Sequence, residues 1–457
     1  MVSRIRPLLL AAAACLVVVC GVVLAPPAPS TAADPAATAQ RPSFLHILTD
    51  DQTIDSLHYM SRTERLLGDR GTTFSDYNVV QPLCCPSRAT FLTGQYPHNH
   101  GVIENLPPYG YGAMDFGHTI YTALHDAGYR TGWVGKVLNT AGPQYGLQPE
   151  PGFDEWLVPL DASELDMFDY EVSDDGADRE VTGTYQSTFL AQRAHEFLDA
   201  AGDEPFMLTL ALTNPHWSRC SRAVFQECPP DPAPRDLGTF DDAKFPFGPD
   251  FARDPRARSI ANHFWRRELE SLQSVDRIVA SLIAQLRREG RLDSTYIIFQ
   301  SDNGLLHGEH GIFDKDVPWD RSVRVPLIIR GPGFDAGATR SDLTANVDVP
   351  ATILDAADVP PPLPPDGYSL LGDHRRRYLL LERQIGMANR PHRDPWRQIK
   401  SADGWAYWRD LDTGVRHLYD MKTDPYQTHN LAGVRPAVTN RLNAEMRKVA
   451  FCADPCP

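Results

Sequence analysis

Two adjacent cysteines and an arginine form the segment of this sequence with the most specific chemistry. The segment is Cys84-Cys85-Pro86-Ser87-Arg88, and Leu92-Thr93-Gly94 follows it. A proline that comes after a turn and before a periodic stretch is typical of the first position of a helix. A group held there faces the positive end of the helix dipole, where an anion is stabilised. We therefore expect an anionic group at the start of this helix; the alternative is two ordinary thiols at a helix start.

Further acidic, basic and imidazole side chains each follow a short apolar run. In chain order they are Asp50-Asp51 after 43–48, Lys136 after 129–134, His216 after 206–212 and Asp302-Asn303 after 296–299. Apolar runs of this length, bounded by turn residues, are typical of strands that are buried on both faces. Because ligands bind beyond the carboxyl ends of the strands in open α/β sheets, we expect these side chains to meet at one sheet edge.

Helical patterns lie between the apolar runs. Thr119 is expected to cap a helix that stops at Gly128, a second helix covers about 184–200, and the longest extends from about His263 to Glu289. The alternation predicts an α/β fold, with a large, mostly parallel or mixed sheet sandwiched by helices. A Pro-rich stretch over 228–255 is expected to form a long surface loop near the site.

The pattern changes at about residue 370, after a second Pro-rich connector over 359–365. Strands are expected at Tyr378–Leu381 and Trp405–Arg409, and a closing helix over 440–449. We therefore predict a main domain over 34–370 and a smaller C-terminal α+β subdomain over 371–457, with a small antiparallel sheet and a helix. Arg375-Arg376-Arg377 is expected to form an exposed turn between them.

Composition and charge exclude several classes of protein. The 457 residues are 42% hydrophobic and 23% charged, which is typical of a folded soluble protein rather than a disordered, collagenous or multi-span membrane protein. Lys and Arg number 44 against 59 Asp and Glu, so the formal net charge is −15. An acidic surface argues against a nucleic acid partner, because phosphate binding requires a concentrated basic face.

The N-terminal segment has the pattern of an export signal. Arg4 and Arg6 precede an apolar run over 8–24, and small residues at 30–33 provide a cleavage site near Ala33. We predict a signal peptide over 1–33, no membrane span after its cleavage, and a secreted, cell-surface or otherwise extracytoplasmic location. The alternative is an uncleaved anchor.

Export makes disulfide bonds possible. Cys220 with Cys228 and Cys452 with Cys456 are close pairs, and we expect each to form a bridge across a short loop. Cys84 and Cys85 are neighbours in the sequence, and bridges between adjacent cysteines are strained and rare. These two residues require another explanation.

The segment at 84–88, followed by Leu92-Thr93-Gly94, resembles the signature of the type I sulfatases of the alkaline-phosphatase-like superfamily. In that family the first cysteine of the motif is oxidised to formylglycine (3-oxoalanine). The resemblance therefore implies that Cys84 is converted, and that a separate formylglycine-generating enzyme is a partner in maturation. It implies that 34–370 is a sulfatase catalytic domain.

The resemblance covers roughly 43–435 and extends to residues outside the cysteine motif. Asp50-Asp51 and Asp302-Asn303 match the two metal-ligand pairs of the family. Lys136 and His216 match its Gly-Lys and Pro-His motifs, and Lys315 its third basic residue. The segment over 418–431 resembles the closing hairpin of the family.

The resemblance also implies a set of roles. Asp50, Asp51, Asp302, Asn303 and the group at Cys84 would hold Ca²⁺, or alternatively Mg²⁺, which acts as a Lewis acid. The formylglycine hydrate attacks sulfur, expels the alcohol and later restores the aldehyde. Arg88 would steady the hydrate, and Lys136 and Lys315 would bind sulfate oxygens. His216 and Lys315 are the candidates that protonate the leaving oxygen.

One position departs from the family pattern. Many sulfatases have a histidine two positions after the Gly-Lys lysine, which acts as the base that collapses the adduct, but this chain has Leu138 there, followed by Asn139. The string over 135–139 is similar to the N-acetylglucosamine-6-sulfatase and heparan 6-O-endosulfatase branch, as are 84–88 and 96–100. Asn139 is expected to contribute a hydrogen bond, and the base stays open.

The resemblance implies an exported sulfuric ester hydrolase whose substrates are sulfated small molecules or glycans, such as 6-O-sulfated glucosamine, or aryl sulfates. Two alternatives stay open: a phosphonate monoester or phosphodiester hydrolase of the same superfamily, and a relative that binds carbohydrate but is never matured.

Three further groups of residues carry less specific chemistry. His307, Glu309 and His310 could bind a transition metal, but neighbouring glycines favour a flexible loop instead. His98 and His100 either line a pocket mouth or lie in a turn. The arginines at 375–377 are expected to form an exposed turn between the domains; the alternative is that they bind a sulfated polymer.

Overall fold

The computed structural model describes residues 41–139, 145, 147–160, 163–220, 227–386 and 394–450. The signal peptide predicted over 1–33 and the predicted bridge between Cys452 and Cys456 lie outside these residues. The predicted bridge between Cys220 and Cys228 is confirmed, with its two Cα atoms 5.2 Å apart.

The strands and helices of the described residues are numbered in chain order. The strands are β1 (Ser43–Thr49), β2 (Thr72–Phe74), β3 (Tyr77–Asn78), β4 (Arg130–Gly135), β5 (Glu155–Pro159), β6 (Asp169–Asp174), β7 (Ala177–Thr182), β8 (Phe206–Ala211), β9 (Ser218–Arg219), β10 (Glu227–Cys228), β11 (Thr295–Ser301), β12 (Leu327–Arg330), β13 (Ala338–Arg340), β14 (Thr344–Ala345), β15 (Tyr378–Arg383), β16 (Trp396–Ser401), β17 (Trp405–Asp410) and β18 (Arg416–Asp420). The helices are α1 (Ser61–Leu66), α2 (Cys84–Thr93), α3 (Pro97–His100), α4 (Ile120–Asp126), α5 (Gln186–Ala201), α6 (Pro255–Arg288), α7 (Asp320–Val323), α8 (Asp348–Ala357) and α9 (Pro436–Val449).

A ten-stranded sheet, in the order β13-β2-β12-β11-β1-β8-β4-β5-β6-β7, forms the centre of the fold. Its five consecutive strands β11, β1, β8, β4 and β5 are parallel, whereas β12 and the hairpin of β6 and β7 run antiparallel to their neighbours. The predicted α/β fold with a mixed sheet between helices is confirmed. The parallel strands bring their carboxyl ends to one edge, as the sequence pattern predicts.

Strand β1 shows why its residues are apolar throughout. Phe44 and Leu48 pack into the core on one side of the sheet, while Leu45 and Ile47 pack into the core on the other. Successive side chains of a strand point to opposite faces, so a strand covered on both faces needs apolar residues at consecutive positions. All seven residues of β1 are buried.

The predicted helices form, with shifted ends. Thr119 caps α4 in a reciprocal pair with Thr122, and the helix ends at Asp126, with Ala127 as its C-cap and Gly128 following in the left-handed region at a φ of 83°. Helix α6 begins eight residues before the expected His263, because Asp254 caps it and Pro255 occupies its first position. Ala261 and Trp265 of its first turns pack against the loop residues Phe245 and Phe251.

Strands β15 to β18 form a separate antiparallel sheet, against which α9 packs. The small C-terminal sheet with its helix is confirmed, and the domain boundary at 370 stays a prediction. Strand β16 was not predicted, because only Trp396 and Ile399 of its six residues are apolar, although all of them except Arg397 are buried. Across the described ranges, every helix is too short or too polar to span a bilayer.

Candidate active site

The carboxyl ends of β1 and β11 position two acidic pairs. Asp50 and Asp51 follow β1 directly, and Asp302 and Asn303 follow β11, which pairs in parallel with β1. The backbone N–H of Asp51 donates to Asp302 Oδ1 over 3.2 Å. Asp51 has a φ of 64°, in the left-handed region, where its backbone turns sharply at the end of the strand. The two pairs therefore lie side by side.

The neighbouring strands add a lysine and a histidine. Lys136 follows β4, whose last residue, Gly135, has a φ of 109° and lies so close to Ala211 that a Cβ would overlap the carbonyl oxygen of Ala211. Past β8, His216 follows a turn in which the carbonyl of Asn214 accepts the N–H of Asp50 over 3.2 Å. Glycine at position 135 thus allows Lys136 to leave the sheet edge toward Asp50.

Helix α2 begins at Cys84, not at Pro86 as the sequence predicts. Pro86 is the third residue of the helix, and Cys84 is the first. The N–H of Cys85 is bound by the side chain of Asn105, with 2.9 Å between Cys85 N and Asn105 Oδ1. Cys84 is therefore in the first turn, at the positive end of the helix dipole.

The side chain of Cys84 meets acidic and basic groups from the sheet edge. Its Sγ lies 2.9 Å from Lys315 Nζ and 3.6 Å from Asp50 Oδ1. Asp50 Oδ2 accepts from Lys136 Nζ at 2.6 Å and from Arg88 Nη2 at 3.2 Å. Each of these five side chains is nearly completely buried. The thiol therefore lies inside a closed group of charges.

The second acidic residue of each pair completes this group. Asp51 Oδ1 accepts from Lys315 Nζ and, at 2.6 Å, from Asn303 Nδ2. Asp302 Oδ2 accepts from Arg88 Nε at 2.8 Å. His216 Nε2 lies 3.4 Å from Asp51 Oδ2. Three carboxylates thus face the three cations Arg88, Lys136 and Lys315, and the charges balance.

The surrounding charges and burial change the acidity of the site. Burial alone would raise the pKa of Asp50, but Lys136 and the other nearby cations lower that pKa well below its ordinary value. Burial, together with the charge of Asp50, raises the pKa of the Cys84 thiol to about 11. Burial lowers the pKa of His216 to about 3. At neutral pH the thiol is therefore protonated and the imidazole is neutral.

Two oxygens of the site lack a hydrogen-bond donor among the described residues: Asp51 Oδ2 and Asn303 Oδ1, both buried. Buried polar atoms normally have a partner, so two such atoms together point to a missing one. One ligand atom each from Asp50, Asp51, Cys84 and His216 lie within 4.8 Å of one another. Carboxylate and amide oxygens suit a hard cation, and the residues present fit a divalent metal ion.

The predicted site residues therefore converge, with one exception. Asn139 lies against Cys85 rather than Cys84: its N–H donates to Cys85 Sγ over 3.1 Å, and the Cys85 thiol lies 3.5 Å from its Oδ1. Leu138 is buried in the main hydrophobic core. Position 138 thus offers no group that accepts a proton.

The less specific histidines have structural partners. His98 pairs with Glu382, and His100 with Thr90, so both hold the short helix α3 in place. His307 is buried and pairs with Glu268, with 3.0 Å between Nε2 and Oε2. In the described part of the chain, the histidines and the glutamate at 307–310 do not form a metal-binding cluster.

The arginine run is only partly an exposed turn. Arg375 and Arg377 are exposed, but Arg376 is buried and pairs with Asp348 through both terminal nitrogens. The prediction was wrong for Arg376, because its partner lies 28 residues away and has no local sequence signal.

Glu164 is a site neighbour that the sequence did not reveal. It lies in a short 3-10 helix, Ser163–Leu165, that follows β5, and it is 2% exposed. Burial opposes the charged form of Lys136, but the charge of Asp50, with a smaller contribution from Glu164, raises the pKa of Lys136. An apolar run over 156–160 ends four residues before it, the same distance as between the run over 206–212 and His216, but no motif marks Glu164.

Over most of its length the chain is similar to known proteins. The family model described as "Sulfatase" matches residues 42–359. The chain is 33% identical over 379 residues to "Extracellular sulfatase SULF-1 homolog" of Drosophila melanogaster, which aligns 79% of this chain and 33% of that protein. It is 32% identical over 355 residues to human N-acetylglucosamine-6-sulfatase, covering 70% of this chain and 62% of the relative. The chain thus spans from a third to less than two thirds of the length of these curated relatives.

A solved structure gives the same fold. It is a protein in complex with its substrate D-glucosamine-2-N,6-O-disulfate, with a TM-score of 0.76 and 23% identity over 89% of this chain and 97% of that one. At this level of identity the similarity shows the fold alone.

Proposed function

Because this chain belongs to the sulfatase family, we propose that it hydrolyses sulfate esters of sugars, with 6-O-sulfated glucosamine as the substrate class. The observation that carries the proposal is the burial of Cys84 among three carboxylates and three cations at one sheet edge. The family and the name of the relative N-acetylglucosamine-6-sulfatase support the substrate class.

The nucleophile is formylglycine made from Cys84 by a formylglycine-generating enzyme. The protonated thiol supports this, since a thiol with a pKa of about 11 is a poor nucleophile at neutral pH. As a hydrated aldehyde, the residue would supply one hydroxyl to attack the sulfate sulfur while the S–O bond to the alcohol breaks, and a second hydroxyl whose deprotonation would restore the aldehyde and release sulfate. The conversion also explains two adjacent cysteines that form no disulfide.

Asp50, Asp51, Asp302 and Asn303 would hold a divalent cation, Ca²⁺ or alternatively Mg²⁺, together with the group at position 84. The two buried oxygens without a donor, Asp51 Oδ2 and Asn303 Oδ1, support this assignment. Such a cation supplies Lewis-acid polarisation of a sulfate oxygen.

The cationic side chains bind and orient the sulfate. Lys315 Nζ, 2.9 Å from Cys84 Sγ, and Lys136 Nζ, bound to Asp50, are close enough to position 84 to hold sulfate oxygens. Arg88 spans Asp50 and Asp302 and fixes both carboxylates. Preorganised donors of this kind stabilise the charge that develops in the transition state without further rearrangement.

Two residues are candidates for protonating the leaving oxygen, His216 and Lys315, and Lys315 is the one that carries an available proton. His216 Nδ1 lies 2.8 Å from the carbonyl of Trp217, so it donates there and Nε2 faces Asp51 and the site. The buried imidazole is neutral at neutral pH and holds its single proton on Nδ1, so Nε2 can accept a proton there but cannot donate one. Lys315 stays protonated, because the charge of Asp51 and of other nearby groups raises its pKa against the effect of burial. Loss of the acid affects sugar sulfates more than aryl sulfates, because a phenolate leaves without protonation.

The enzyme acts after export. The basic and apolar pattern of residues 1–33, the Cys220–Cys228 disulfide and relatives named as extracellular sulfatases support this location.

The test is production of the full chain with and without a co-expressed formylglycine-generating enzyme, followed by assay on 6-sulfated N-acetylglucosamine. Sulfate release that depends on co-expression and disappears in Cys84→Ala is expected. Faster turnover of the paired phosphate or phosphonate ester would favour a phosphonate monoester or phosphodiester hydrolase. Sugar binding without turnover, unchanged in Cys84→Ala, would favour an unmatured binding protein.

A further inference from the structure

An aromatic groove lies between the loop that carries Lys315 and the C-terminal sheet. The name aromatic groove is used below for this cavity, whose volume is about 260 Å³. Its aromatic and acidic lining residues are His310, Trp319, Asp394, Trp396, Trp408 and Asp410. Trp396 and Asp410 are directly paired across β16 and β17. Trp408 lies two residues before Asp410 on the same strand and therefore on the same face.

The rings that line the groove support one another. Trp319, just before α7, packs edge-on against Trp408, with 5.7 Å between the ring centroids. On its other side, Trp319 stacks on His310 at 3.6 Å. His417 stacks on Trp408 at 3.5 Å. The aromatic planes are thus fixed by packing before any ligand arrives, which lowers the entropic cost of binding.

The groove is close to the proposed reaction centre. Val317 and Pro318 belong to its lining and follow Lys315 by two and three residues. Their Cα atoms therefore lie at most about 7–10 Å from the Cα atom of Lys315. Trp396 Nε1 donates to the carbonyl of Asp316 over 3.2 Å, and Gln398 Nε2 donates to the carbonyl of Pro318 over 2.9 Å. The loop that carries Lys315 is therefore fixed to the same sheet that forms the groove.

The chemistry of the lining favours a sugar ring. A flat indole face packs against the C–H face of a pyranose, and carboxylates accept hydrogen bonds from its hydroxyls. Trp396 is buried, whereas Trp319 and Trp408 are partly exposed, each with a histidine stacked on one face. The volume lies slightly below the usual range for small-molecule pockets, roughly 300–1,000 Å³, so one ring fits rather than a long chain.

The charge of the lining restricts which sugar binds. Among the described lining residues there are two carboxylates, Asp394 and Asp410, and neither lysine nor arginine. Burial lowers the pKa of His310 to about 4, so its imidazole adds no positive charge at neutral pH. A sulfated ring would meet like charge here, and an uncharged or ammonium-bearing ring would not.

We propose that the aromatic groove binds an uncharged sugar residue adjoining the sulfated one, so that the enzyme prefers the end of an oligosaccharide with an unsulfated neighbour. This inference rests on the proposed function, since it assigns a subsite to the same reaction.

The first experiment compares 6-sulfated N-acetylglucosamine with the same sugar linked to galactose, using the matured enzyme. In Trp408→Ala, KM for the disaccharide should rise about tenfold, which is the scale of one aromatic contact, while KM for the monosaccharide is unchanged. Trp408→Phe keeps an aromatic face and should restore most of the loss. Val415→Ala removes an exposed apolar side chain of the same region outside the groove and should change neither value. Equal changes on both substrates, or none on the disaccharide, would overturn the proposal.

The second experiment tests the charge with the disaccharide in which galactose is also sulfated. The wild type should turn it over with a higher KM than the singly sulfated disaccharide. Asp394 is exposed, and Asp394→Arg should reduce or reverse the difference in KM between the doubly and the singly sulfated disaccharide. Asp394→Asn should reduce this difference in KM by a smaller amount. A wild-type preference for the doubly sulfated disaccharide contradicts the proposal.

Binding of the unsulfated disaccharide to the unmatured full chain, followed by tryptophan fluorescence, separates the two failures. Binding to the wild type that is lost in Trp408→Ala supports sugar binding in the aromatic groove. If such binding occurs but no sulfate ester is hydrolysed, only the proposed function is rejected. Turnover together with no binding in the wild type rejects the groove alone.

Discussion

Two buried ionic clusters in this protein use the same residue types in opposite ways. In one, Asp348 receives two hydrogen bonds on each carboxylate oxygen, from both terminal nitrogens of Arg376 and from the N–H groups of Ala345 and Tyr368, all within 3.0 Å. In the other, at the sheet edge, Asp51 accepts both of its side-chain hydrogen bonds on Oδ1, and its Oδ2 has no donor in the described structure.

The difference separates a structural ion pair from a binding site. A carboxylate whose lone pairs are all used has no capacity left for a ligand, and it contributes to holding elements together. A buried oxygen without a donor costs free energy in the fold, and it keeps lone pairs that a bound cation can use. Asp348 therefore contributes to stability, and the group around Cys84 to chemistry.

The largest expected effect is on turnover at the sheet edge. Cys84→Ala removes the residue from which the nucleophile is made, and sulfate release should fall by at least about a thousandfold. The midpoint of thermal unfolding should stay close to that of the wild type. Sulfate release by purified Cys84→Ala at a tenth of the wild-type rate or more would place the nucleophile elsewhere.

The structural cluster should show the opposite behaviour. Asp348→Ala leaves the buried Arg376 unpaired and should lower the free energy of unfolding by about 3–5 kcal/mol, measured by denaturant titration. The remaining folded enzyme should keep its kcat. The exposed pair of Arg441 and Asp403 provides the control, since Asp403→Ala should cost less than about 1 kcal/mol. Equal losses of unfolding free energy in Asp348→Ala and Asp403→Ala would contradict the distinction between the buried and the exposed ion pair.

Addition of Ca²⁺ should stabilise the sheet edge. At a hundred times its dissociation constant, Ca²⁺ should raise the free energy of unfolding by about 2.7 kcal/mol relative to chelated protein. Asp51→Asn should lose most of this response, whereas Asp55→Asn, outside the ligand group, should keep it. A response of the same size in Asp51→Asn would contradict the assignment of the ligands.

The smallest expected effect is on the pH dependence of stability. Burial, with the charge of Arg88, lowers the pKa of His46 from 6.5 to about 3. Between these two values the unfolded chain binds a proton at this residue and the folded chain does not, so stability falls as the pH falls below 6.5 and is complete above it. At pH 5 the loss from this group is about 2 kcal/mol.

His46→Gln removes this group and should lose less stability than the wild type between pH 7 and pH 5, as followed by chemical denaturation at each pH. Its lower stability at pH 7 is expected from the lost contacts with Thr209 and Gln300. An identical pH dependence in the two proteins would show that His46 is not held neutral in the fold.

The sequence predicts much of the sheet edge because several site residues follow an apolar run closely, whereas Cys84, Arg88 and Lys315 were found only through the resemblance to a family. Asp50, Lys136 and Asp302 needed only the rule that parallel strands end at one edge. The start of α2 was misplaced by two residues, because proline is also accepted later in the first turn.

Contacts between residues far apart in the sequence are not marked by any pattern from which they could be predicted. The partners of Arg376 and Glu164 depend on how loops return to the core, and neither residue follows a motif. Asn139 was expected to contribute a hydrogen bond, but the sequence did not indicate that its partner is Cys85. The orphaned oxygens of Asp51 and Asn303 likewise appear only when the hydrogen bonds are counted in three dimensions.

The most direct test is the mass of the tryptic peptide that contains Cys84, taken from protein whose sulfate release is measured in the same preparation. A mass in which aldehyde oxygen replaces the sulfur, in a fraction that increases in proportion to the rate of sulfate release, is the predicted result. Full activity from protein in which this peptide carries only the unmodified thiol would contradict the account.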